Sequence, residues 1–150
     1  MGSNCDETVP VSIPVTVVDS ETFDLSVSPG SSGGRVVVTL ENTSQQVALT
    51  GNRGKFDLQT AVDDSWESVV ERPDGEYWTD EAITHAPGEG FEWRLGLGPG
   101  LTLDDETRPS YVVCEPLDPG VYRFVYWGVI GETDDGRERA VATQFCLEGE

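Results

Sequence analysis

The sequence predicts an all-β protein, a two-sheet antiparallel Greek-key sandwich of about nine strands. Short segments alternate apolar and polar residues, which is the period of a half-buried strand. Turn signals separate them, with seventeen glycines and nine prolines spread through 150 residues, and no helical periodicity competes. The third observation is the segment 117–130, LDPGVYRFVYWGVI. Val121, Val125, Trp127 and Val129 line one face, and Tyr122, Phe124, Tyr126 and Ile130 line the other. Apolar residues on both faces place this strand in the middle of a packed sheet.

The elements follow in chain order. Residues 1–8 read as a flexible acidic leader, and residues 9–150 as one domain, long enough for a sizeable core. Val9 to Val17 alternates, but Pro10 and Pro14 confine it to an edge or a sheet switch. Residues 22–28 place Phe23, Leu25 and Val27 inward, and residues 35–41 do the same with Val36, Val38 and Leu40. A turn at 42–44 leads to a short strand at 47–50. Residues 55–62 carry Phe56, Leu58 and Val62 on one face, and Asp63-Asp64 turns the chain into 65–72 with Trp66 and Val70. Residues 73–90 read as irregular. Phe91, Trp93, Leu95 and Leu97 then face one way, before a second long loop at 98–110 and a short segment at 111–114. Pro119-Gly120 is a turn because proline presets one dihedral and glycine accepts positive φ. It feeds the central strand, and residues 140–147 form the last one.

Charge narrows the function classes. Acids outnumber bases 28 to 9, for a net charge of −19, and Lys55 is the single lysine. Nucleic acid is a poor partner for such a surface, since phosphate binding needs clustered positive charge. Thirteen aromatics, from four Trp, four Tyr and five Phe, argue against disorder. The other reading is a folded protein built for high salt, with a domain acidic by chance as the alternative. At a Debye length of about 3 Å in 1 M salt, carboxylate repulsion is nearly screened, and dense carboxylates keep the surface hydrated. The composition is similar to that of halophilic archaeal proteins. No run of 18 apolar residues exists to span a membrane as a helix.

The cysteines are Cys5, Cys114 and Cys146. If the central and last strands form a hairpin, Cys146 returns to the neighbourhood of Cys114, and a Cys114–Cys146 disulfide is the favoured pairing. Cys5 paired with either, or three reduced thiols, are the alternatives. Alternation from Phe145 puts Cys146 on the outer face, so a bridge there sits at the rim. No Cys-x-x-Cys accompanies the one histidine, so no zinc site is expected.

Few motifs point to chemistry. Asn42-Thr43-Ser44 is an N-glycosylation sequon in a turn; the alternative is a turn asparagine bonding its own backbone. Asp63-Asp64, Asp104-Asp105-Glu106 and Asp134-Asp135 are acid clusters on turns without the alternating ligands of a calcium loop. His85, beside a Pro-Gly turn, reads as an exposed loop residue, and no nucleophile elbow or phosphate loop accompanies it. No enzyme, cofactor or metal is expected. Tyr77 and Trp78, in a long acidic loop, are the candidate contact surface.

Leu117-x-Pro119-Gly120-x-Tyr122 resembles the tyrosine corner of immunoglobulin-like sandwiches, with Tyr122 as the structural tyrosine bonding back to the backbone. Two further pieces are Val36 to Thr43, VVVTLENT, and Ala86-Pro87-Gly88-Glu89-x-Phe91-x-Trp93. Together the three resemble immunoglobulin-like domains of bacterial BsuPI-type proteinase-inhibitor modules, and equally the lipoproteins displayed by haloarchaea. The resemblance spans roughly residues 35–147. It implies an immunoglobulin-like fold and an extracytoplasmic, cell-surface location, with membrane attachment only through a lipid anchor, for which Cys5 stands near the right place. The haloarchaeal side implies a non-enzymatic binding or structural module with a protein or cell-surface partner. The inhibitor side implies a protease partner, although no reactive loop maps onto this chain.

Overall fold

The structure, a computed structural model, describes residues 8–10, 17, 22–29, 35–73, 82–96, 102–103, 118–131 and 139–147. Twelve strands run through them: β1 (Thr8–Pro10), β2 (Phe23–Pro29), β3 (Arg35–Asn42), β4 (Ala48–Thr50), β5 (Phe56–Val62), β6 (Ser65–Ser68), β7 (Glu71–Pro73), β8 (Ile83–His85), β9 (Gly90–Gly96), β10 (Thr102–Leu103), β11 (Gly120–Gly131) and β12 (Arg139–Leu147). The excess over nine comes from short pieces. The segment 65–72 divides into β6 and β7, and β8 and β10 lie inside stretches expected to be irregular. Thr8, expected in the leader, already pairs with Pro73 across β1 and β7.

Two antiparallel sheets form the sandwich. One has the order β10-β9-β3-β2, and the other β6-β5-β11-β4-β8, with β12 also on β11. The chain lays β2 and β3 in the first sheet, crosses for β4, β5 and β6, and returns to place β9 beside β3. It then crosses again to place β11 beside β5 and β12 beyond it. This is the Greek-key path of an immunoglobulin-like sandwich.

β11 is the strand about which the second sheet is arranged. Tyr126 opposes Val141 on one edge and Phe56 on the other, so β12 and β5 flank it. Val129 opposes Arg139 and Thr50, so β4 follows β5 along the same edge. Residues 51–55 between them bulge, held by Gly51 N–H to Gly128 O at 2.7 Å and Trp127 N–H to Lys55 O at 2.9 Å. Tyr126 Oη closes the bulge by donating toward Gly51 O and Asn52 O, each at 3.1 Å.

The layers meet through aromatic rings. Trp93 of β9 lies 4.9 Å from Phe124 and 5.3 Å from Tyr126 of the facing sheet, and Phe91 lies 5.9 Å from Tyr126. Such pairs contribute about 0.5–1.5 kcal/mol each beyond their burial. Val38, Leu40, Phe56 and Leu58 complete the layer. The outer face of β11 is buried from Val125 onward, with Val125 at 0% and Trp127 at 2% exposure, and open at Val121, at 42%. The two-faced apolar pattern of residues 125–130 has this cause.

The β5–β6 hairpin turns through Asp63 and Asp64 at φ 47° and 66°. Two successive left-handed residues match the right-handed twist of the strands, and Asp tolerates them better than most side chains.

Candidate functional site

The turn before β11 positions Tyr122. Asp118 and Pro119 lie exposed outside the sheet, Gly120 opens β11, and the Tyr122 ring folds back over them. Its Oη donates to Asp118 O at 2.5 Å, four residues upstream, the bond that characterises a tyrosine corner. Burial pushes the phenol above its usual range, and the Asp118 carboxylate adds to that.

At one end of the sandwich, the turn after β3 crosses to the second sheet. Asn42 is 1% exposed there. Its Nδ2 donates to Gln46 O at 2.8 Å and His85 O at 2.9 Å, and its Oδ1 accepts from Ser44 N–H at 2.9 Å and Ser44 Oγ at 2.7 Å. A glycan on Nδ2 would replace one of its two hydrogens and so remove one of these donations, and at 1% exposure the folded site leaves it no room. In the closed sandwich the asparagine is a structural clamp. His85 is likewise buried, at 4% exposure, and not the exposed loop residue expected from its Pro-Gly neighbour. The reason is that it ends β8, where Ala48 pairs with it in register. Its Nε2 shares a hydrogen bond with Thr50 Oγ1 at 2.8 Å, and its ring sits edge-on to Phe23 and Phe91. Burial holds the imidazole below its usual range, against the pull of Glu89. With Thr50 at 0% exposure, the pair is sealed from solvent.

A second polar cluster occupies the outer face of the second sheet. Asp57 and Gln59 alternate with the inward Phe56 and Leu58, and oppose Val125 and Arg123. Asp57 Oδ1 accepts from Ser68 Oγ at 2.6 Å, and its Oδ2 from Gln59 Nε2 at 2.8 Å. Gln59 Oε1 in turn accepts from Arg123 Nε at 2.6 Å. The Arg123 guanidinium lies 4.7 Å over the Trp66 ring. Burial pushes Asp57 up to about 6 despite these bonds and the Arg123 charge.

That shift makes stability depend on pH. Because the folded state prefers protonated Asp57, its contribution is complete below about 3.8 and is lost as pH rises through about 6. The loss is on the order of 3 kcal/mol, since one pKa unit is 1.36 kcal/mol. Urea unfolding at a series of pH values is expected to show stability falling across that window. Asp57→Asn is expected to flatten the fall, and an unchanged slope would remove Asp57 as its source.

The other expected positions divide. Cys146 is exposed on β12 and carries no disulfide. The expected Cys114–Cys146 bridge is thus not seen: Cys146 faces outward opposite the exposed Val121, as strand alternation from Phe145 predicts, and the position of Cys114 lies outside the described residues. Cys114, Cys5, Tyr77 and Trp78 lie outside the described residues. Among the described residues, no three His, Cys, Asp or Glu side chains converge as metal ligands, and no helix is long and apolar enough to cross a membrane.

Sequence expectations missed the Asp57–Gln59–Arg123 cluster. The signal was present, because Val125 and Trp127 on the outer face of β11 require cover that also buries Asp57, directly beside Val125. Compared with known proteins, the chain matches no family model. No curated protein matches its sequence either.

Proposed function

We propose that this chain is a non-enzymatic, extracytoplasmic immunoglobulin-like module of a halophilic archaeal surface protein, acting in binding or as a structural unit. The observation that carries this reading is the charge pattern. The chain has a net charge of −19, and its one lysine, Lys55, is 8% exposed. The surface is thus left to carboxylates, with arginine as the exposed base. Lysine's long apolar stem is excluded from it, as suits a surface hydrated in concentrated salt. The His85–Thr50 pair is sealed in the sandwich, so it offers a substrate no acid–base site. The haloarchaeal lipoprotein resemblance supports the surface location.

Thermal unfolding in KCl tests the central element. Between about 0.1 M and about 2 M, the Debye length falls from about 10 Å to under 3 Å. Tm is expected to rise by about 10 °C or more, since 1 kcal/mol shifts a domain of this size by about 2–4 °C. Chloride is the right anion, because sulfate would stabilise most proteins by exclusion. A flat or falling Tm would remove the high-salt reading. A protease panel assayed in molar KCl separates the binding module from a BsuPI-like inhibitor, which inhibition would favour.

A further inference from the structure

The outer face of β6, β5, β11 and β12 ends in an open shelf. One row runs Ser68, Gln59, Arg123 and Gln144. The next begins at Trp66 opposite Ala61, one residue beyond the Thr60–Tyr122 pair, and ends at Val121 opposite Cys146. Val121 is 42% exposed, one of two large apolar side chains exposed among the described residues. Ala61, Gln144 and Cys146 are exposed beside it, and Arg123 and Trp66 are half-exposed.

Arg123 is fixed before any ligand arrives. Its Nε is committed to Gln59 Oε1 at 2.6 Å, Gln59 is tied to the buried Asp57, and Trp66 supports the guanidinium plane. Among the described residues, its terminal nitrogens Nη1 and Nη2 have no hydrogen-bond partner. The guanidinium feels the Asp57 charge but makes its hydrogen bond to Gln59, so its Nη edge carries no bond to that carboxylate. Two parallel N–H donors in a held plane match one carboxylate, and side-chain ordering is already complete.

We propose that this shelf docks an acidic peptide segment of a partner protein. A carboxylate of the segment takes the Nη edge of Arg123, and a neighbouring apolar side chain lies on Val121 and Ala61. This rests on the reading of the chain as a binding module. Charge complementarity selects the occupant, since a preorganised cation stands beside the exposed Val121 and Ala61. A peptide suits it better than a sugar, because Arg123 already covers one face of the Trp66 ring. The net charge of −19 repels acidic segments at low salt. Screening removes that barrier and leaves the short-range fork, so binding is expected to strengthen as salt rises.

The test uses the full chain, panned in molar KCl against a phage-displayed random peptide library. Enriched peptides are then synthesised for fluorescence anisotropy. Asp or Glu next to an apolar residue is expected in the enriched pool. Replacing that acid by its amide, Arg123→Lys and Val121→Glu are each expected to weaken binding by about tenfold or more, the effect of losing a charged hydrogen bond or adding a repulsive charge. Val121→Glu sits at an exposed position, so its effect does not depend on a folding defect. Peptides that lack acids, or that bind both variants as well as the parent, would overturn the shelf while leaving a binding module in place. Binding to polygalacturonate without peptide enrichment would overturn the peptide as occupant. No enrichment and no binding would overturn the shelf and count against protein binding itself.

Discussion

Gly90→Ala is expected to cost more than about 4 kcal/mol or to prevent folding, in the exceptional range for one substitution. Gly90 opens β9 and pairs with Glu41 of β3. A Cβ there would lie 1.7 Å from Leu40 O and 2.6 Å from Leu40 C, both backbone atoms of the neighbouring strand. A flexible side chain could move aside, but β3 is held between β2 and β9 along its length. Relief would require parting the two central strands of the first sheet, and with them the burial of Val38, Leu40 and Trp93. Gly88→Ala, two residues away, is the control. Gly88 has φ +87° and open space around it, so its substitution carries only left-handed strain, about 1–2 kcal/mol. Urea unfolding of both variants in molar KCl gives the comparison. Similar losses at the two positions would show that the strands accommodate the methyl group.

Asn42→Asp is expected to destabilise by about 3–5 kcal/mol, the cost of an uncompensated buried charge. The change alters one atom of the side chain. It removes both Nδ2 donations, and it sets a carboxylate oxygen against the carbonyls of His85 and Gln46. The clamp joins the end of β3, the turn at 44–46 and the end of β8, so its loss also loosens the crossing between sheets. The same geometry predicts that protein secreted by a glycosylating host carries no glycan at Asn42. Intact mass spectrometry checks this, and a hexose-series increment mapped to that residue would show that the clamp opens. Unfolding of the Asp variant at neutral pH checks the energy. A loss below about 1 kcal/mol would mean that water reaches the site.

How much of this was legible in the sequence depends on the range of the interaction. The strand positions of Phe23, Val38, Phe56 and Trp93 follow from local alternation, and all four are buried. The Leu117 to Tyr122 motif acts over four residues, and the bond from Tyr122 to Asp118 spans that distance. Asn42 was ambiguous because its decisive partner, His85 O, is 43 residues away. A turn asparagine looks the same in sequence whether its amide faces solvent or a distant strand end. His85 was misjudged for the same reason, since a Pro-Gly turn after it says nothing of β4 pairing before it. Cys146 illustrates the opposite case. Strand parity placed it outward, and it lies exposed there, whereas the bridge depended on Cys114, a partner that local alternation could not position.

The burial of Lys55 has a practical consequence. Lys55 is the single lysine of the chain, and the residue sits in the bulge that joins β4 to β5, at 8% exposure overall. Acylating reagents and amine cross-linkers therefore have one lysine to find, on a residue that the closed sandwich largely covers. Modification at Lys55 would instead time the transient parting of the bulge from β11, giving a single-site clock for local opening.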